Sequence, residues 1–351
     1  MTSTMPIGAG AKTTDGDGLL LEVRDLEVSF DVGRELNGWR SRPTKRIVRA
    51  VAGVSLSVRR GEMLALVGES GCGKSTTALA ILRMVATNAG VIRLDGEELT
   101  SVSPREMKRL RRRMQLIYQD PYESLDPRFR VRATVEEPLI IHGVGNRRER
   151  RDKAVQALER AGLSPAEAYL DRHPHELSGG QRQRLAIAAS LALEPELLVA
   201  DEPVSMLDVS VRAGVLSLLD SLRREERMGI LMITHDLSTA ATFADRIAVM
   251  YLGRIVEEGP SQDVVTNPKH PYTQALLSVV PDPDPHEGLP TRILRGETPN
   301  PAKVPPGCRF HPRCPIAEAQ CKSIDPELRS WTTESGATHA VACLLAEVES
   351  S

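Results

Sequence analysis

Apolar residues along the chain switch repeatedly between the period of a strand and the period of a helix. Residues 19–30 alternate apolar and polar positions, which predicts a half-buried strand. Helical spacing dominates residues 181–193 and 211–222. Short unbroken apolar runs, typical of strands buried on both faces of a parallel sheet, occupy residues 63–67, 114–118, 197–200 and 230–233. The alternation predicts an α/β fold with a central sheet.

Three segments depart from this alternation. Residues 1–18 are rich in Gly, Thr, Ser and Asp, and we predict a disordered tail there. Residues 120–177 are helical and charged without a buried strand, which predicts a helical insert. Residues 281–312 contain nine prolines, too many for regular helix or sheet. A domain boundary is therefore predicted near residues 268–280.

Composition narrows the class of protein. With 41% hydrophobic and 26% charged residues among 351, the chain has the composition of a soluble globular protein. The formal net charge of -2 and the aromatic content of 3% argue against a nucleic-acid partner. No apolar run approaches the ~18 residues needed to span a bilayer, and the N-terminus lacks the charged-then-apolar order of a signal peptide. We therefore expect a cytoplasmic location.

Residues 68–75, with the sequence GESGCGKS, match the phosphate-binding loop that joins a buried strand to a helix. Its glycines let successive backbone N–H groups point at phosphate oxygens, and the following helix adds the positive end of its dipole. Lys74 is predicted to reach the β and γ phosphates, and Ser75 to ligate Mg²⁺. The predicted nucleotide-contacting residues of this segment are Gly68, Ser70, Gly71, Cys72, Gly73, Lys74, Ser75 and Thr76.

Two acidic residues end a later buried strand. Asp201 and Glu202 follow the apolar run at 197–200, and open α/β sheets bind ligands at the carboxyl ends of their strands. We predict that Asp201 holds Mg²⁺ and that Glu202 is the general base for an attacking water. A solvated turn is the alternative interpretation, and the apolar strand in front of the two acids disfavours it.

The segment LSGGQ at residues 177–181 has the form of a helix start with Ser178 as its cap. With the phosphate loop and the acidic strand end, it makes the chain resemble the nucleotide-binding subunits of ATP-binding cassette (ABC) transporters. The resemblance also rests on Gln119 in YQDP, on the D-loop SMLD at 205–208, and on His235 in ITHD. It implies a P-loop NTPase fold with a RecA-like core, an antiparallel β subdomain and a helical subdomain at about 120–177. The cassette would span residues 19–268, and residues 269–351 would form a small Cys-rich extension.

The resemblance implies a head-to-tail dimer, in which each ATP lies between the phosphate loop of one subunit and the signature of the other. Gln119 would contact Mg²⁺ and water, and His235 would contact the γ-phosphate; with Glu202 and Lys74 they form the catalytic set. Phe30 fits the aromatic residue that stacks on adenine, with a core residue as the alternative. Ser178 and Gly180 are implied to contact nucleotide bound by the partner, and the resemblance also implies that Gly179, Gln181 and Asp208 bind nucleotide.

Within this family, the chain resembles the oligopeptide/dipeptide importer group. The similarity lies at QDPYESLDPR (119–128), DEPVS (201–205), HPYTQALL (270–277) and PGCRFHPRCP (306–315). The first two segments are more similar to the second ATPase of such importers. The implied partners are a related ATPase, two integral membrane permeases and an extracytoplasmic substrate-binding protein, with the chain peripheral at the cytoplasmic face of the inner membrane. Peptides are the implied substrate, and nickel or oligosaccharides are the alternatives.

Four of the five cysteines lie in the last 44 residues, namely Cys308, Cys314, Cys321 and Cys343. A reducing compartment disfavours disulfides, so a metal site is predicted. Their separations of five, six and 21 residues suit a [4Fe–4S] cluster better than the close pairs of a zinc site. The family resemblance also implies [4Fe–4S]. Zinc, with His311 or His339 as alternative ligands, and unligated thiols remain open.

Two further functions compete with transport. A soluble ABC ATPase of translation or DNA repair is one, although such proteins usually carry two cassettes or a long coiled-coil insert. An iron–sulfur sensor that uses the cassette as a switch is the other. The basic runs at 108–113 and 147–151 are interpreted as solvated helix faces, with membrane headgroups as the alternative ligand.

Overall fold

The computed structural model describes residues 18–35, 44–278, 299–333 and 336–346. The predicted disordered tail lies outside these ranges except for Gly18, and so does most of the proline-rich segment. Within the described residues, no helix is both long enough and apolar enough to cross a membrane.

Twelve strands lie in the described residues. In chain order they are β1 (Leu19–Glu35), β2 (Thr44–Arg59), β3 (Met63–Val67), β4 (Ala89–Leu94), β5 (Glu97–Glu98), β6 (Met114–Ile117), β7 (Leu197–Asp201), β8 (Gly229–Thr234), β9 (Arg246–Tyr251), β10 (Arg254–Pro260), β11 (Arg329–Thr332) and β12 (Thr338–Val341).

The same ranges contain ten α-helices. They are α1 (Lys74–Ile81), α2 (Pro104–Arg113), α3 (Pro121–Ser124), α4 (Val131–Ile141), α5 (Arg147–Arg160), α6 (Gly179–Leu191), α7 (Val209–Glu226), α8 (Leu237–Phe243), α9 (Ser261–Thr266) and α10 (Pro271–Leu277). Short 3₁₀ turns occupy Ala166–Ala168, Pro174–Glu176 and Ala319–Lys322.

The strands form two sheets. The larger has eight strands in the order β11-β12-β10-β9-β3-β8-β7-β6, and its segment from β9 to β6 is parallel. Every residue of β3 and β8 is buried, because helices pack on one face of this sheet and strands β1 and β2 with helix α1 pack on the other. The smaller sheet is antiparallel, with the order β2-β1-β4-β5. The parallel segment brings the carboxyl ends of β3, β7 and β8 to one edge.

Helices fill residues 120–177 up to the start of α6. Asn146 begins α5 with a capping box, in which its side chain accepts from the backbone of Glu149 and the Glu149 side chain accepts in return. The helices α4, α5 and α6 pack on one another through a shared apolar core that includes Leu139, Leu158 and Leu185.

The segment after residue 268 packs on the core of the cassette. Phe310 is 1% exposed and belongs to the same apolar cluster as β3 and β8 residues. Strand β12 pairs antiparallel with β10 and so extends the larger sheet. The fully buried carboxylate of Glu257 on β10 accepts from the backbone N–H groups of Lys269 and His270, and it lies 2.9 Å from Nε2 of His339 on β12. The segment after residue 268 therefore needs no large core of its own, because it packs into the core of the cassette.

Candidate functional site: a phosphate loop with a clustered glutamate, glutamine and histidine

The phosphate loop connects β3 to α1 and is tightly enclosed. A Cβ atom at Gly68 would lie 2.2 Å from the carbonyl oxygen of Met250, and one at Gly73 would lie 2.2 Å from that of Ala50. Gly73 also has a φ of 113°, in the left-handed region that favours glycine. Lys74 is buried, and its Nζ donates to the carbonyl oxygens of Gly68 at 2.7 Å and of Glu69 at 3.0 Å. The loop therefore holds its lysine against its own first residues.

Asp201, at the end of β7, faces the start of α1. Its side chain is hydrogen-bonded to Ser75, while its Oδ1 is buried without a hydrogen-bond partner among the described residues. Burial raises the pKa of the Asp201 carboxyl, and the charge of Glu202 raises it further. A hydroxyl and a buried carboxylate with an unsatisfied oxygen are donors suited to Mg²⁺. The arrangement of Ser75 and Asp201 thus fits the predicted magnesium site.

Two predicted catalytic residues contact the same carboxylate oxygen of Glu202. Gln119 donates from Nε2 to Oε2 of Glu202 at 3.2 Å, and Nδ1 of His235 lies 3.2 Å from the same oxygen. Glu202 has a φ of 45°, and its backbone N–H donates to Ile233 at 2.9 Å. Glu202 thus has a left-handed backbone conformation directly after Asp201, the last residue of β7.

A cleft of about 530 Å³ lies over the loop. The predicted site residues that line it are Ser70, Gly71, Gly73, Lys74, Ser75, Thr76, Gln119, Glu202 and His235. Val48 and Ala50 of β2 form another part of its wall, and Pro301 lines it from the C-terminal segment.

Phe30 lies on β1 beside this cleft. It pairs with the wall residue Val48 across the antiparallel sheet, and it is 40% exposed. Phe30 itself does not line the cleft within the described part of the chain. The adenine-stacking role of Phe30 stays a prediction, and its exposure argues against the core alternative.

The signature segment begins helix α6. The Ser178 hydroxyl accepts from the backbone N–H of Gln181, and the Gln181 side chain accepts from the backbone N–H of Ser178. The two residues therefore form a capping box. Gly180 packs closely on α7, where an added Cβ would lie 2.4 Å from Cγ1 of Val211. Asp208 is the N-cap residue of α7. Among the described residues that line the cleft, none comes from this segment or from Asp208. The predicted contact of these residues with nucleotide bound by another subunit stays a prediction.

Comparison with known proteins agrees with this geometry. A family model described as "ABC transporter" matches residues 51–205, and one described as "Oligopeptide/dipeptide transporter, C-terminal region" matches residues 256–321. The oligopeptide transport ATP-binding protein AppF of Bacillus subtilis (strain 168) is 42% identical over 329 residues, which cover 93% of this chain and 97% of AppF. The corresponding protein OppF of Escherichia coli (strain K12) is 43% identical over 334 residues, 94% of this chain and 97% of OppF. The chain belongs to the oligopeptide/dipeptide group of ABC transporter ATP-binding proteins.

Solved cassettes share the fold. The dimeric cassette MJ0796 in a post-hydrolysis state, bound to ADP and Pi, aligns with a TM-score of 0.60 at 28% identity and covers 69% of this chain and 99% of its own. CbiO1 of Clostridium perfringens, part of the transporter complex cbiONQ, aligns with a TM-score of 0.60 at 26% identity and covers 72% of this chain and 92% of its own. The predicted family and the predicted fold of the cassette are thereby confirmed.

The four C-terminal cysteines of this ABC protein are close enough to influence one another. Burial raises the pKa of Cys308 to about 11, and the nearby thiols of Cys321, Cys343 and Cys314 add to the rise. The backbone N–H of Cys308 donates to Cys321 at 2.9 Å. In the described ranges, no group of three or more His, Cys, Asp or Glu residues is placed to hold a metal ion. The predicted [4Fe–4S] cluster stays a prediction.

The alternative zinc ligands have other partners in the described residues. Nδ1 of His311 lies 2.9 Å from the carbonyl oxygen of Cys308, and Nε2 of His339 lies 2.9 Å from the Glu257 carboxylate. His339 also stacks on Trp331, with ring centroids 4.6 Å apart. Each hydrogen bond uses one ring nitrogen, so neither contact excludes zinc ligation through the other nitrogen.

Three residues from beyond residue 268 contribute to the nucleotide site and were not predicted from the sequence. Pro301 lines the cleft, and Tyr272 and Arg313 contact Glu69 in the phosphate loop. Tyr272 and Arg313 lie within the HPYTQALL and PGCRFHPRCP segments, which identify the transporter group but carry no recognisable phosphate-site pattern. Residues that reach the nucleotide site from a distant part of the chain have no local sequence signal.

Proposed function

We propose that the chain is an ATP-hydrolysing subunit that drives peptide import through a membrane ABC transporter. The observation that carries the proposal is the convergence of Gln119 and His235 on one oxygen of Glu202, beside the phosphate loop. Peptide transport follows from the names of relatives such as AppF and OppF, which match nearly the whole chain. Cassette residues 19–268 and extension residues 269–351 would act together in this subunit.

Glu202 acts on the water that attacks the γ-phosphorus. The water oxygen forms a bond to phosphorus while the bond to the bridging β–γ oxygen breaks, which yields ADP and phosphate. Glu202 accepts the proton from the water, Gln119 positions that water, and His235 donates to the γ-phosphate. Lys74 binds the β and γ phosphates. When bound, Mg²⁺ would be held by Ser75, Asp201 and Gln119 and would supply charge neutralisation of the phosphate oxygens.

The signature residues act on the second subunit's nucleotide. Ser178 and Gly180 at the start of α6 present a capped helix terminus, which favours an anionic phosphate. Two cassettes would thus close head to tail around ATP, and hydrolysis would reopen them. The proposed partners are a related but distinct ATPase, two integral membrane permeases and an extracytoplasmic substrate-binding protein. The subunit would be peripheral at the cytoplasmic face of the inner membrane.

We propose that Cys308, Cys314, Cys321 and Cys343 ligate a [4Fe–4S] cluster. Thiolates are the ligands such clusters use, and a cluster spans more space than a single ion. Two of the thiols are buried and two are half-buried, and the 2.9 Å hydrogen bond from the backbone N–H of Cys308 to the carbonyl oxygen of Cys321 supports their proximity. When bound, the cluster would supply a structural crosslink between the segment around Cys308 and the one around Cys343.

Reconstituted transport tests the function. The complete transporter is placed in proteoliposomes with MgATP on the side of this subunit, and uptake of a labelled oligopeptide is measured against uptake of Ni²⁺ and of an oligosaccharide. The expected result is ATP-dependent accumulation of the peptide alone. Accumulation of Ni²⁺ or sugar instead would contradict the substrate, and ATPase activity that never requires membrane subunits would favour a soluble ABC ATPase.

A further inference from the structure

Glu69, the second residue of the phosphate loop, is contacted from the C-terminal segment at two points. Its backbone N–H donates to the hydroxyl of Tyr272 at 2.9 Å. Its carboxylate accepts from both Nη atoms of Arg313, at 2.8 Å and 2.9 Å. A planar guanidinium that meets both carboxylate oxygens fixes direction as well as distance. The extension therefore constrains the backbone and the side chain of the same loop residue.

Arg313 is itself rigidly placed. Its side chain is 6% exposed, and its guanidinium lies 5.9 Å from the ring centroid of Tyr251. Tyr251, Tyr272 and Phe310 form a buried aromatic cluster with ring centroids 4.7–5.4 Å apart. The cluster joins the end of β9, the start of α10 and the cysteine-containing loop. A side chain enclosed in this way keeps one rotamer.

The position of Arg313 follows from the loop between Cys308 and Cys314. Its backbone N–H donates to Phe310 at 2.9 Å, and the next N–H, of Cys314, donates to His311 at 3.4 Å. These turns hold Arg313 next to Cys314, one of the four C-terminal cysteines. The side chain of Arg313 thus connects this loop directly to the phosphate loop.

Glu69 in turn supports the catalytic lysine. The carbonyl oxygen of Glu69 accepts from Nζ of Lys74 at 3.0 Å and from the backbone N–H of Cys72 at 3.3 Å. Rotation of Glu69 would move this acceptor and tilt the N–H groups that follow it. A lysine that contacts phosphate depends on such placement, because misplacement of about 1 Å at a reacting centre costs binding or rate.

We propose that Arg313 and Tyr272 are positioning residues for ATP binding, which act through Glu69 on the phosphate loop and Lys74. The inference rests on the proposed function in that it assumes the loop binds ATP. It assigns to the C-terminal extension a direct part in the nucleotide site. It also predicts that the conformation of the cysteine-containing loop sets the affinity for ATP.

A double-mutant cycle on the full chain tests the proposal. The dissociation constant of a fluorescent MgATP analogue is measured for the wild type, Glu69→Ala, Arg313→Ala and the double variant. Asp325→Ala is the matched control, because it removes another ion pair between the extension and the cassette, from Arg254 on β10 at 2.8 Å. Tyr272→Phe deletes only the hydroxyl that accepts from Glu69, and Glu69→Gln keeps an acceptor for Arg313.

Each single alanine variant is expected to weaken binding about tenfold, or ~1.4 kcal/mol, and the double variant no more than either alone. Tyr272→Phe should weaken binding severalfold, Glu69→Gln should recover most of the loss, and Asp325→Ala should stay within twofold. Additive losses, or an equal loss in Asp325→Ala, would overturn the proposal. If Arg313→Ala does not fold, the Glu69 and Tyr272 variants decide the matter by the same criterion. A wild-type chain that binds no nucleotide would overturn the proposed function itself.

Discussion

Nδ1 of His235 lies 3.2 Å from Oε2 of Glu202, although the two residues follow different strands of the sheet. Strands β7 and β8 are adjacent and parallel, so the residues that follow them meet at one edge. Gln119, after β6, reaches the same carboxylate oxygen. The carboxylate is therefore held in place by two side chains that would both face the γ-phosphate.

Glu202→Gln should abolish most ATP turnover while it preserves ATP binding. The amide keeps the shape of the side chain but accepts no proton, so we expect turnover in the assembled transporter to fall about 100-fold or more. Steady-state phosphate release and the dissociation constant for MgATP are the measurements. Turnover near the wild-type value would rule out Glu202 as the base.

Asp201→Asn should stabilise the chain near neutral pH in the absence of Mg²⁺. Burial raises the pKa of Asp201 above its ordinary value, so its ionised form costs folding free energy once the pH exceeds the pKa of the unfolded chain. The amide removes this cost, and we expect a rise in Tm of about 2 °C or more. Thermal unfolding over a pH series provides the measurement.

The same series contains its control. Below the unfolded pKa, Asp201 is protonated in both states, so the advantage of the amide should shrink as the pH falls. Added Mg²⁺ with nucleotide should raise the Tm of the wild type more than that of the variant. An advantage that persists unchanged into acid would point to a cause other than charge burial.

Ser178→Ala should lower stability and transport-coupled hydrolysis together. The capping box of α6 loses its acceptor for the Gln181 N–H, which costs about 1 kcal/mol of unfolding free energy. Ser103→Ala is a matched control, because Ser103 forms the capping box of α2 with Glu106. Both variants should unfold earlier by chemical denaturation, whereas only Ser178→Ala should reduce turnover in the complete transporter. Equal turnover in the two variants would contradict the signature role.

Cysteine variants examine the proposed cluster. Anaerobically purified wild type should be brown and contain about four iron and four sulfide per chain. Cys321→Ala should lose the iron, and Cys72→Ala, which changes the buried thiol in the phosphate loop, should retain it. Colourless wild-type protein that contains zinc and no iron would contradict the cluster and indicate a zinc site. Protein without either metal would leave four unligated thiols.

Local signals account for what the sequence could predict. The glycine spacing of the phosphate loop, the cap at Ser178 and the apolar run before Asp201 each lie within a few residues, and each predicts a local conformation. Because parallel strands share an edge, these local predictions also imply that Lys74, Asp201 and Glu202 lie near one another.

Long-range contacts have no such signal. Arg313 reaches Glu69 across 244 positions of the chain, and β12 is four residues long, too short for a recognisable alternation. The apolar cluster that contains Phe310 likewise forms only when the extension folds onto the sheet. The core that the extension shares with the cassette therefore has no signature in the local sequence.

Strand β12 covers part of a sheet edge that could otherwise pair with strands of other molecules. It pairs with Glu257 and Glu258 on the outer side of β10, and β11 then ends the sheet with a strand of four residues. A fragment truncated between α10 and β11 would expose a seven-residue strand at an open edge. Such edges recruit strands from other molecules and begin aggregation. The extension therefore protects the cassette from self-association, and fragments that lack it would be poor substitutes for the whole chain in solution.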